Sequence, residues 1–396
     1  MNRFEPNLRI PGPTGLPPSV REAGSRQMIN HRGPEFAAIL ERIVSRMKPY
    51  FGTRGDIALL SCAGTGGLEA AVVNVLSPED RVLAVSIGAF GDRFARIAAT
   101  YGADVSKLDV EWGRAADPDD IRRALLAEPR PGYRAVLLTH NETSTGVMNP
   151  IPELCAAVRN AAPDALILID SVSALGAVPF AMDDWGVDLA VTGSQKAWMS
   201  APGLAMVAAS DRAWAAMDTA RMPRFYLDLR AARESQAEGQ TPWTPALAVV
   251  YQVDAGLELM ERETPNAIFA RHETCAEGTR AGLIALGFEL FADERFASRT
   301  VTAARVPAGL DWKAFNGEVR AHGVILAGGQ AKLAGQVFRI GHLGSVTLGE
   351  ILDALAVIEE VSIAFGRQTE PGAGVAAAQR AALRHSGQPV PAAIAG

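Results

Sequence analysis

Lys196 stands in the run VTGSQKAWMSAPG (191–203), between a strand-like apolar stretch and a Pro-Gly turn, with no acidic neighbour in the local sequence. Asp170 closes an earlier apolar run, LILID, 196 − 170 = 26 residues upstream. A carboxylate beside apolar neighbours must be paired or solvated in a cleft. If the two strands are adjacent, both ends open into one crevice. The lysine can then form an imine with a carbonyl compound while the acid holds a protonated ring nitrogen. Those are the two groups a pyridoxal 5'-phosphate site needs. Trp198, Met199 and Ala201 offer the apolar setting that lowers a lysine pKa. Singly, each residue has a plainer reading: surface charge for Lys196, a helix N-cap for Asp170. The joint pattern is what points to chemistry.

A third feature is SCAGTGGLEAA (61–71), small residues running from a strand into a helix. Bare backbone N–H groups at a helix N-terminus favour an anion such as a phosphate, and Thr65 adds a hydroxyl. Packing alone can also select such a turn. The stretch lacks the Lys-Ser/Thr of a P-loop and departs from the G-x-G-x-x-G dinucleotide fingerprint.

The elements that must position these residues are legible as alternation. Short apolar runs at 57–61, 82–86, 135–139, 166–169, 188–192 and 204–209 are separated by helical patterns at 67–76, 90–101, 118–127 and 151–161. This predicts an α/β fold with a mainly parallel sheet covered by helices, where ligands collect at the carboxyl ends of the strands. Phe36, Ile39, Leu40, Ile43, Val44 and Met47 recur at helical spacing, which predicts a helix over 35–49. Residues 1–33, rich in Pro and Gly, read as an extended arm. After about 210 come two long helices (245–262, 266–286), then strand, helix, strand and helix at 299–306, 311–321, 335–340 and 348–365. The expected division is an arm (1–33), a large domain (34–265), a smaller α+β domain (266–367) and a tail (368–396) that is loose or laid on a neighbour.

The stretches THNETSTGVMNPI (139–151), ILIDSVSALGAVPFAMDDWGVDLAVTGSQKAWMSAPGLA (167–205) and FRIGHLG (338–344) resemble the class V aminotransferases of pyridoxal-phosphate fold type I. Serine–glyoxylate, alanine–glyoxylate and bacterial aspartate–glyoxylate enzymes are the nearest in look. The resemblance implies a seven-stranded large-domain sheet and gives each residue a role. Lys196 forms the imine with the cofactor and moves a proton; Asp170 pairs with the pyridinium nitrogen. Val172 and Phe90 cover the two ring faces. Ala63, Gly64, Thr65 and Gln195 hold the phosphate, and Thr143 lies near the ring oxygen and the substrate. Thr244, in TPWTPA, contacts the phosphate of a neighbouring subunit, which implies a homodimer with shared active sites. Arg339 binds the substrate α-carboxylate, for which its planar fork is suited. Gly12, in PGPT, belongs to a loop that closes over the substrate, although turn geometry alone also explains a glycine there. His342 stays open between a place beside the substrate and a structural one. The expected partners are a small amino acid and a 2-oxo acid.

Composition narrows the alternatives. A net charge of −6 with no Lys/Arg run argues against nucleic acid or anionic membrane as the main partner. Cys62, Cys155 and Cys275 are too widely spaced for a disulfide framework or a zinc site, and no run of ~20 apolar residues offers a membrane span. The expected setting is the cytoplasm. A lyase on the same scaffold needs the same lysine and aspartate. A cysteine desulfurase needs a mobile reactive cysteine, and Cys275 falls in a helical run. A nucleotide-binding oxidoreductase lacks its full fingerprint. A silent binding protein has no need of Lys196, Asp170 and Arg339 together.

Overall fold

The computed structural model describes residues 5–127 and 132–385. The first four residues of the expected arm and residues 386–396 of the expected tail lie outside them. The large sheet has seven strands, in spatial order Asp56–Leu60, Ala205–Ala209, Leu189–Gly193, Leu166–Asp170, Ala135–Thr139, Arg81–Ser86 and Asp104–Asp109. All run parallel except Ala205–Ala209, which is antiparallel to both neighbours.

The central strands are unbroken apolar runs because helices cover both faces. Within one strand the side chains alternate between two cores. Leu166 and Leu168 pack with Leu68, Val72 and Phe94 on one face. Ile167 and Ile169 pack with Phe36, Ile43, Leu154 and Val253 on the other. Burying each such side chain contributes roughly 1.5–3 kcal/mol.

The seventh strand, Asp104–Asp109, is absent from the sequence expectation. Its sequence DVSKLD is polar and half-exposed, as an edge strand that must resist pairing often is. Val324–Gly328 is a second strand that the pattern did not single out. It belongs to a smaller four-stranded sheet, ordered Asn7–Arg9, Val324–Gly328, Val337–Gly341 and Val301–Arg305.

Two expectations are corrected. The arm is not simply extended: Asn7–Arg9 pairs parallel with Val324–Gly328, and Pro18–Ala23 is helical. Side chains hold the edge strand in place, with Asn7 Nδ2 donating to Asp353 Oδ2 at 2.7 Å and Arg9 paired to Glu350 at 3.1 Å. The described part of the tail is not loose either. Ala373–His385 is a helix packed against Pro265–Ala285 and Leu348–Ala364. Its Ala and Gly residues suggested a linker, but Gly374, Ala378, Ala381 and Ala382 lie buried at helical spacing. Small residues let the helices approach closely. A Cβ on Gly282 would fall 2.4 Å from Leu355 Cδ1 and 3.1 Å from the Gly374 carbonyl oxygen. Gly282→Val is therefore expected to destabilise the protein by about 1–3 kcal/mol through overpacking. A denaturant midpoint equal to wild type would contradict this packing.

Among the described residues no helix is long and apolar enough to cross a membrane.

Candidate active site

Parallel pairing of the two strands sets Asp170 opposite Val191, so the strand ending in Asp170 and the turn bearing Lys196 open on the same side. Asp170 is buried, and its Oδ1 accepts the Val172 N–H at 3.0 Å. Burial pushes its carboxyl up to about 6, while the Val172 N–H and the charges of Lys196 and Arg93 pull it down. Burial pushes Lys196 down to about 8; Asp170 opposes this, and Arg339 and Arg93 add to it. Each group thus feels the other's charge in a site largely shut off from water.

The lysine turn is anchored in the core. Trp198 is fully buried, donates from Nε1 to Thr192 Oγ1 at 2.9 Å, stacks on Phe51 and meets Tyr50 edge-on. Ser194 Oγ donates to the Ala201 carbonyl and receives the Leu204 N–H, closing the turn across its base.

The segment after the N-terminal strand crosses over this turn. The Pro11 carbonyl accepts a hydrogen bond from Lys196 Nζ. The Thr14 N–H donates to the Gln195 carbonyl at 3.1 Å, and Thr14 Oγ1 to the Lys196 carbonyl at 3.0 Å. Gly12 between them adopts φ +120°, and a Cβ there would lie 2.6 Å from Lys196 Nζ. Glycine is required both for the backbone angle and for the contact.

Ala63 precedes the helix Gly64–Val75, whose first amides have no intrahelical acceptor. Gly64 packs so tightly on Val172 that a Cβ would fall 2.8 Å from its Cγ2. Gln195 Oε1 is buried and has no hydrogen-bond partner among the described residues. A Cβ built on Gly193 would lie 2.9 Å from that oxygen and 3.3 Å from the Gly64 nitrogen, so glutamine and helix start border one small space. Thr65 is exposed at its rim and receives Arg93 Nη1 at 3.5 Å.

Phe90 lies in the first turn of Ala89–Thr100 with the Arg93 guanidinium 4.6 Å from its ring centre. Thr143 is buried in the turn between the short strands Asn141–Glu142 and Val147–Met148. Its carbonyl accepts Arg339 Nη1 at 3.1 Å. Arg339, on Val337–Gly341 of the small sheet, also donates to the Gly328 carbonyl and to Gln330 Oε1. Burial pushes it down to about 10, yet among the described residues no carboxylate is salt-bridged to it. A buried guanidinium with unfilled donors suits an incoming carboxylate.

Two sequence candidates remain to be placed. His342 is fully buried, with Nε2 2.9 Å from Thr302 Oγ1 and Nδ1 3.2 Å from the Arg299 carbonyl. Both nitrogens are satisfied by a neutral ring, and burial holds it neutral. Thr244 is exposed beside Trp243, in the segment whose Ala246 N–H donates to Ser61 Oγ at 3.1 Å. Glu142, Arg93, Thr14 and the Pro11 carbonyl were missed. The only signals for the first two were an acid inside the hydroxyl-rich NETSTG and an arginine three residues after Phe90. Cys275 is buried in a helix with its thiol pushed up to about 11, which makes it a poor nucleophile.

The Gln195 amide, once turned to present its NH2 donors, the glycine-lined helix start and the Asp170–Lys196 pair fit the phosphate, ring nitrogen and aldehyde of pyridoxal 5'-phosphate. Fold and site together define a pyridoxal-phosphate enzyme of fold type I. A family model described as aminotransferase class-V matches residues 19–342. The chain is 40% identical over 375 residues to the small subunit of a soluble hydrogenase from Synechococcus sp., across 94% of this chain and 97% of that protein. It is 39% identical to the L-aspartate–glyoxylate aminotransferase of Paracoccus denitrificans, across 93% and 94% respectively. The crystal structure of pyridoxamine–pyruvate aminotransferase from Mesorhizobium loti superposes with a TM-score of 0.90 at 30% identity, covering 95% of this chain and 97% of that one. The chain belongs to the class-V aminotransferases, which work with pyridoxal 5'-phosphate.

Proposed function

We propose that this protein moves the amino group of a small L-amino acid, serine, alanine or aspartate, to glyoxylate or pyruvate. The observation that carries the reading is the facing of Asp170 and Lys196 at neighbouring strand ends, with Arg339 poised beside them and, among the described residues, no carboxylate salt-bridged to it. The relatives' names diverge between hydrogenase subunit and aminotransferase. The lysine–aspartate–arginine set is what amino-group transfer uses.

When bound, pyridoxal 5'-phosphate supplies an aldehyde that condenses with primary amines and a ring that takes up the electron pair left when the Cα–H bond breaks. Lys196, with its pKa lowered toward neutrality, would take the proton from the substrate Cα and return it to the former aldehyde carbon, two atoms away across the nitrogen. Asp170, as the anion, holds a proton on the ring nitrogen, which is charge stabilisation arranged before the reaction. Val172 and Phe90 fix the ring plane from its two sides. Ala63, Gly64, Thr65 and Gln195 hold the phosphate. Arg339 orients the α-carboxylate, Thr143 lines the substrate side, and Gly12 lets the N-terminal segment close over the amine and exclude water.

We read residues 34–265 as the cofactor domain and 266–367 as the domain that brings Arg339 to it. The working unit is a homodimer with shared sites. Support comes from exposed Phe225 and Tyr226, packed on half-buried Trp243 beside Thr244, apolar surface that a second copy would cover. Hybrid dimers of Lys196→Ala and Thr244→Ala subunits are expected to recover activity in one of their two sites. Hybrids as inactive as the parents would refute sharing. Unpaired cysteines support a reducing, cytoplasmic setting.

The visible spectrum tests the reaction class. The yellow band of the holoprotein should shift on adding L-serine, L-alanine or L-aspartate and return on adding glyoxylate or pyruvate. A band that shifts and never returns with any 2-oxo acid would favour a lyase. The donor and acceptor are then ranked by kcat/KM.

A further inference from the structure

Glu142 is fully buried, yet it belongs to none of the groups that would touch cofactor or substrate. Its Oε2 accepts the N–H groups of Phe90 and Gly91 at 3.0 and 3.1 Å. Its Oε1 accepts the Ser144 N–H at 3.1 Å and hydroxyl at 2.6 Å. Ser144 Oγ in turn receives the Ala89 N–H at 3.0 Å. Three successive amides of one helix start are thus held by two neighbouring residues of a hairpin some fifty positions away.

This arrangement differs from the other caps. Asp117, Ser210, Asp228, Asp311 and Thr347 each cap the helix they immediately precede. The helix Ala89–Thr100 starts after Gly88, which has no side chain to offer. Gly88 is also what lets the distant acid in, because a Cβ there would lie 2.3 Å from Glu142 Cγ. Burial pushes the Glu142 acid up to about 7, and all four contacts, being donors, oppose this by favouring the ionised carboxylate, which is acceptor-only. An anion at a helix N-terminus is further favoured by the backbone dipoles.

The same hairpin faces the small sheet. The residue after Glu142 is Thr143, whose carbonyl holds Arg339 Nη1. Glu142 is also the acid whose charge reaches Arg339 most strongly. It therefore offsets the buried cation without consuming its donors, and leaves Nη2 for a ligand.

We propose that Glu142 is a positioning residue that joins the two clamps of the site, seating the helix turn that carries Phe90 and, through the Thr143 carbonyl, the guanidinium of Arg339. The inference rests on the roles proposed for Phe90 and Arg339. It deepens that reading by naming what sets both.

Glu142→Gln in the holoenzyme is isosteric but turns an NH2 group toward N–H donors. The expected result is a rise of about 10-fold or more in the KM for the amino donor and in the Kd of propionate measured by calorimetry. Cofactor retained through gel filtration should fall, while kcat changes less than KM. A role confined to stability would lower the melting temperature and leave the propionate Kd and cofactor retention unchanged, and that outcome overturns the proposal. Arg339→Lys separates the two failures. If it leaves the donor KM and propionate Kd unchanged, the role given to Arg339 is wrong. If it raises both while Glu142→Gln raises neither, only the present inference is wrong. Should Glu142→Gln not fold, Ser144→Ala removes the hydroxyl that links Glu142 to the Ala89 amide. It is expected to lower cofactor retention, and unchanged retention overturns the proposal equally.

Discussion

Lys196→Met is expected to lower turnover by about 10⁴-fold, the upper end of what one general acid–base group contributes, and at the same time to stabilise the apoprotein at pH 7. The first effect follows because no other amine lies where Nζ does, next to Asp170 and under the Pro11 carbonyl. The second follows from burial, which pushes the amine down to about 8 from 10.5. The unfolded chain therefore binds the lysine proton more tightly than the folded one. Wild-type stability rises with pH between about 8 and 10.5, and the penalty removed by methionine is largest below pH 8. It is on the order of 1–3 kcal/mol, reduced because Asp170 loses a nearby cation. The advantage of the variant should shrink as pH is raised and vanish near 10.5. Melting curves at pH 7 and pH 10 check this. A variant that melts below wild type at pH 7, or retains a tenth of its turnover, would remove the lysine from the centre of the site.

Asp170→Asn is expected to lower kcat by about 10²- to 10³-fold, the usual loss when one preorganised electrostatic partner is removed. The side chain keeps its size and can still accept the Val172 N–H. What is lost is the negative charge opposite the ring nitrogen. The pH dependence separates charge from packing. Burial raises the wild-type carboxyl to about 6, so the carboxylate is lost as pH falls through that value. A cationic ring moves the limb lower still. Wild-type kcat should decline on the acid side, and the asparagine variant should lack that limb while cofactor binding persists. A variant within about threefold of wild type across pH 5–9 would make Asp170 a cap and nothing more.

How much of this was legible before the structure depended on whether a residue's signal was local. Asp170 and Lys196 were readable because the first ends an apolar run and the second lies just past the end of the next, and adjacent parallel strands must place such ends together. The glycines at 64, 66 and 67 were readable as a helix start but not as a close fit, because the neighbour that forbids a Cβ on Gly64 is Val172, over a hundred residues away. Glu142 was passed over since its partners, the amides of Phe90 and Gly91, leave no mark in composition. Asp104–Asp109 was missed because an edge strand hides its backbone pattern under charged side chains. The Ala/Gly tail misled because small residues signal a linker and a tight helix interface in the same letters.

The sequence by itself determined the layered α/β plan and the placing of Asp170 and Lys196 at one edge of the sheet, because periodic burial and strand ends are properties of contiguous residues. Tertiary structure alone decided that a glycine loop from the N-terminus lies over the lysine, that Arg339 arrives from a second sheet with donors to spare, and that His342 sits in a closed network of its own. Those outcomes depend on which surfaces meet across long stretches of chain, and hydrogen-bond geometry and desolvation arise only once they have met.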